Sequence, residues 1–175
     1  MKKDLAIIGG LFLVVAILVI FGRGFTSTQF AGISPRPEST KSAAKQKGVA
    51  EVTIGSLKIS AEVANTTDER KKGLSDRDEL PINAAMLFVF EKSGSYGIWM
   101  KDMRFPIDII WIDDSPAGEK KIVDIAENAV PEPDKNDEEL KRYQPRSEAK
   151  YILEVNAGLS KLHNLQIGDT VTFEL

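Results

Sequence analysis

Cysteine is absent from all 175 residues. That excludes disulfides, thiolate metal sites, cysteine nucleophiles and a lipid-modified cysteine. Histidine is nearly absent as well, His163 being the only imidazole. Zinc sites that need two or three histidines from one chain are therefore out of reach, and neither a metal nor a cofactor is expected. Positive charge is scarce after the first 48 residues, where residues 49–175 hold 16 basic against 24 acidic side chains. An acidic surface is a poor wrapper of nucleic acid and a poor neighbour for anionic lipid, so no nucleic-acid partner is expected.

Charge and proline are missing together from Leu5 to Phe21, and Arg23 ends the apolar run. At about 1.5 Å per residue, roughly 17 to 20 helical residues cross most of a ~30 Å hydrocarbon core. A cleaved signal has a shorter apolar region, about 7 to 15 residues, before small residues. Thr26-Ser27-Thr28 is only a fair match to such a site. The segment 1–24 therefore reads as an uncleaved membrane anchor. Lys2 and Lys3 precede the run, which places the N-terminus in the cytoplasm and the remainder outside it. Residues 25–48 are rich in Ser, Thr, Ala, Lys and Pro without hydrophobic period. They read as a flexible stem of about 25–30 Å mean reach.

Residues 49–175 carry strand signals. Leu57, Ile59, Ala61 and Val63 alternate with polar neighbours, and Gly55-Ser56 separates them from Val49–Ile54, as in a hairpin. Thr66 and Glu69 have the spacing of a capping box, and Gly73 would interrupt the helix they open. Met86–Phe90 is continuously apolar, as in a strand buried on both faces. Tyr96–Lys101, Ile107–Ile112, Lys121–Ala126, Ala149–Val155 and Thr170–Leu175 read as further strands, with a short helix over 157–166. Pro131–Gln144 is an acidic loop; its Asp134-Lys-Asn136 start lacks the glycine and final glutamate of a calcium loop. The fold class is mainly β (β-rich α+β): a compact barrel-like domain with one or two short helices, preceded by a single transmembrane helix.

Four blocks carry a family resemblance. Arg70-Lys-Lys-Gly-Leu-Ser-Asp-Arg77, Met86-Leu-Phe-Val-Phe90, Trp99-Met-Lys101 with Pro106-Ile-Asp108, and Leu153-Glu-Val-Asn-Ala-Gly158 resemble, in that order, the blocks of the DUF192 (UPF0127) family. The resemblance spans almost all of residues 50–175. It implies a small, mainly β, barrel-like domain, often exported or membrane-tethered, and implies no activity. Ser75 stands where that family usually shows methionine, and Asp102 where asparagine is common.

Five residues are candidate ligand-binding groups: Arg77, Trp99, Lys101, Asp108 and Glu154. Asp108 shares a strand face with Ile110 and Ile112, and Glu154 shares one with Ile152. A carboxylate in apolar company needs a partner or a raised pKa. If the two carboxyls met, they could divide acid and base roles in a hydrolase. Arg70 and Arg77 would share one face of an unbroken helix, roughly 10 Å apart, as a clamp for an anion. Two readings follow beside the hydrolase. One is a tethered extracytoplasmic module binding a small polar ligand or an envelope protein; the other is a purely structural envelope module. Their discriminator is whether Arg77, Lys101, Asp108 and Glu154 line one open pocket or sit in closed pairs.

Overall fold

The computed structural model describes residues 48–175. The expected membrane anchor (1–24) and stem (25–48) lie outside the described residues apart from Gly48. Among the described residues no helix is long and apolar enough to cross a membrane.

The alternation at the start of the domain produces a hairpin. β1 (Val49–Ile54) and β2 (Leu57–Ala64) pair from Ile54↔Leu57 outward, turning at Gly55-Ser56. The chain next forms α1 (Thr67–Lys72) and returns as β3 (Ala84–Gly94), parallel to β2. Parallel neighbours cannot be joined by a tight turn; the segment bearing α1 is the required crossover. There follow β4 (Ile98–Trp99), β5 (Ile107–Asp114), β6 (Lys120–Ala129), β7 (Arg142–Tyr143), β8 (Ala149–Asn156), α2 (Leu159–Leu162) and β9 (Thr170–Thr172). Seven strands close a barrel in the order β1-β2-β3-β8-β5-β6-β9, with Ile54↔Val171 sealing the circle. β4 and β7 form a separate two-stranded ladder.

Three expected elements are shorter than their sequence patterns. The strand expected over Tyr96–Lys101 is regular only at Ile98–Trp99, because its partner is the two-residue β7 rather than a barrel strand. The helix expected over 157–166 occupies Leu159–Leu162 and stops where Asn164 takes φ +52°. The last strand ends at Thr172, after its pairing with β1 and β6 is complete.

Two apolar clusters result. All seven barrel strands contribute to the first, which fills the lumen with side chains such as Val52, Ile59, Leu87, Ile110, Ile122, Leu153 and Val171. The second lies on the opposite faces of β3, β5 and β8, where Phe88, Ile109, Trp111 and Ile152 are covered by Leu74, Leu80, Met100 and Met103 from the connecting segments. This cover explains why β8 is buried on both faces although its sequence alternates.

Candidate functional site

Glu154 stands on the outer face of β8, directly between Met86 of β3 and Ile109 of β5. Both neighbours are apolar and buried, and Glu154 itself is only 4% exposed. Among the described residues no hydrogen bond or ion pair reaches its carboxyl group. Burial alone therefore acts on it and pushes its pKa up to about 8. A carboxyl in this position is largely protonated at neutral pH, and its O–H and C=O are both available.

The carboxyl forms the inner end of a cleft of about 370 Å³. Phe88, Met103 and Ile107 are buried residues of its wall, and Phe90, Tyr96 and Trp99 line it nearer the surface. The segment after β3 is held down at three points. Phe90 and Tyr96 stack with ring centroids 3.6 Å apart. Trp111 on β5 donates from Nε1 to the Tyr96 carbonyl at 2.9 Å. Arg142 lies over the Trp99 ring at 4.4 Å, where β7 pairs with β4.

α1 forms the other wall. Its capping box is complete: Glu69 N–H donates to Thr66 Oγ1, and Thr66 N–H donates to Glu69 Oε2. Gly73 ends it with φ +48°, a conformation that favours glycine, and a Cβ there would lie 3.3 Å from the Phe88 ring. Arg70, Lys71 and Lys72 complement the helix dipole and line the cleft from its solvent side. Arg70 donates to the Asn65 and Val89 carbonyls with its guanidinium 5.0 Å from the Phe90 ring centroid. Lys72 pairs with Asp76 at 2.5 Å.

The other candidates are placed elsewhere. Asp108 faces the lumen, opposite Val155, and is fully buried. Its Oδ1 accepts from Asn128 N–H at 2.9 Å, and its Oδ2 accepts from Gly158 and Ser160 N–H at 3.0 and 2.9 Å. It ties β5 to the β6 bulge and to the start of α2. Because Asp108 aligns with Val155, it and Glu154 lie on opposite faces of the β5–β8 ladder and do not form an acid–base pair. Arg77 makes a two-pronged contact with Glu62 of β2, at 2.7 and 2.8 Å, which holds the Glu62 carboxyl below its usual range. α1 ends before Arg77, so Arg70 and Arg77 do not share a helix face. Lys101 pairs with Asp137 in a neighbouring depression, and that hydrogen bond raises its pKa. Of the five candidates, Glu154 and Trp99 meet in one cleft; Arg77, Lys101 and Asp108 are engaged in separate contacts.

Sequence reasoning did not assign Phe88, Phe90, Tyr96 or Lys71 to the site. The available signal was that Glu154 shares its face with Ile152. Which elements roof that face is decided by the β4–β7 ladder and the loop before β5, neither of which has a periodic pattern. Asp102 holds φ +54° and its carbonyl accepts from Asp76 N–H at 2.8 Å. Aspartate and asparagine are the non-glycine residues best tolerated in that conformation. Its identity is thus explained by the backbone. Ser75 lines the cleft and donates to the Lys101 carbonyl at 2.9 Å. Among the described residues, no cluster of three or more acidic or histidine side chains has the arrangement of a metal site.

Fold and site together define a small, mainly β, closed-barrel domain with a cleft on its outer face. The chain belongs to the DUF192 family, described as an uncharacterized ACR, whose model matches residues 50–173. A Sinorhizobium meliloti 1021 protein, named for a conjectured role as a transcription regulator, is similar in structure. Its TM-score is 0.60 at 26% identity, over 71% of this chain and 92% of that one. A protein of unknown function from Novosphingobium aromaticivorans DSM 12444 gives 0.58 at 28% identity, over 71% and 83%. No curated protein matches.

Proposed function

We propose that this protein is a membrane-tethered, extracytoplasmic accessory module that binds a small molecule in the Glu154 cleft. The observation that carries the reading is a carboxyl on a residue only 4% exposed, which lines an open cleft and has no hydrogen-bond partner among the described residues. Burying a polar group without a partner costs stability, and the cost is understandable where a ligand supplies the partner. The cleft volume falls within the range of about 300–1,000 Å³ common for small-ligand sites. The tether rests on the uncharged run from Leu5 to Phe21, and the orientation on Lys2 and Lys3. The acidic balance of residues 49–175 weighs against carrying a transcription role over from the Sinorhizobium relative.

Native mass spectrometry of the full chain, purified gently from its host membranes, tests the binding reading. A retained small molecule that is lost in Glu154→Leu is the expected result. A clean apo mass in both proteins, with no thermal shift from a metabolite panel, would contradict it. The engaged states of Arg77, Lys101 and Asp108 favour a second reading, a purely structural envelope module. On that reading Glu154→Leu would stabilise the domain without any loss of function in the cell.

A further inference from the structure

Three basic side chains, exposed or half-buried, and one buried carboxyl are the charged types that line the cleft, and this restricts what can enter. Resting on the Glu154-cleft reading, we propose that the ligand is a small amphipathic organic acid. Its anionic end would lie at Arg70 and Lys71, its apolar body along Phe88, Met103 and Ile107, and a hydroxyl or amide end against Glu154.

Three observations favour an acid over an amine. Arg70, Lys71 and Lys72 line the solvent side of the cleft, and Glu154 is the only acidic side chain among its lining residues. Lys72 is partly neutralised by Asp76, whereas Arg70 donates to backbone carbonyls and Lys71 has no salt bridge among the described residues. An ammonium group would have to pass these cations, while a carboxylate is drawn to them. Cations also already occupy positions over the rings that an amine would seek: Arg70 over Phe90 and Arg142 over Trp99. Finally, an amine at the inner end would require an ionised Glu154 between Met86 and Ile109. A hydroxyl or amide exchanges hydrogen bonds with the neutral carboxyl and needs no buried charge.

Three probes of nearly equal size separate the possibilities: 4-hydroxyphenylacetate, 4-hydroxyphenethyl alcohol and tyramine, which are anionic, neutral and cationic at one end. Isothermal titration calorimetry on the full chain in detergent is expected to rank acid over alcohol over amine, with the acid about two- to fivefold tighter than the alcohol. Lys71→Glu should abolish the preference for the acid, and Glu154→Leu should weaken all three probes. Tyramine binding best, or all three binding equally, would overturn the acid assignment while leaving the cleft as a binding site. No binding by any probe would also overturn it. If the mass comparison between wild type and Glu154→Leu were blank as well, the cleft reading would fall with it.

Discussion

Two buried carboxyls of adjacent strands have opposite roles. Asp108 receives three backbone N–H groups across its two oxygens; Glu154 receives none among the described residues. Removing Asp108 leaves those three donors without their acceptor, and each buried donor left unsatisfied costs about 1–3 kcal/mol. Asp108→Ala should therefore cost about 3 kcal/mol or more in urea unfolding, with Asp108→Asn intermediate. Glu154 should behave in the opposite sense. Its folded pKa of about 8 lies above the ordinary 4.5, so the folded state holds the proton more tightly. The associated stability is fully present below about pH 4.5 and is lost as pH rises toward 8. Glu154→Gln, neutral at every pH, should match wild type near pH 5. By pH 9 it should be more stable by on the order of 2–4 kcal/mol; a pH-independent difference would contradict this. The sequence shows both carboxylates in apolar company but not which is paired. The N–H groups that satisfy Asp108 come from positions 20, 50 and 52 residues away.

Among the elements, α1 contributes most to the site relative to its length. Six residues are too few for a helix to persist alone; it depends on its capping box, its Gly73 stop and contact with the barrel. The cap and the stop were both legible in the sequence, since they depend on residues three and seven positions from Thr66. The β4–β7 ladder was not, because two-residue strands carry no period and pair across more than 40 positions. Thr66→Ala should cost about 1 kcal/mol, read as a lower urea midpoint. Gly73→Ala should cost more, since it adds the strain of a positive-φ conformation outside the left-handed helical region, about 1–3 kcal/mol, to a 3.3 Å approach to Phe88. It should also shift the Phe88 ring resonances, which Thr66→Ala should leave in place.

The whole molecule joins a barrel filled in the ordinary way to a second apolar layer on one side only. Hydrophobic alternation made the barrel legible, because lumen-facing positions follow the strand period. The outer layer was hidden, because covering segments without regular structure decide which outward positions are buried. At this scale the proposed tether predicts that a C-terminal fusion reporter will be active only outside the cytoplasm and will pellet with membranes. Activity of a cytoplasmic reporter instead would reverse the orientation. The central claim concerns one group, and carboxyl-carbon NMR of glutamate-labelled protein reads it directly, with Glu154→Gln assigning the resonance. The expected titration midpoint is near pH 8. A midpoint near the ordinary value of 4.5 would mean that water or an unseen partner already solvates the carboxylate, and the case for a ligand at Glu154 would fail.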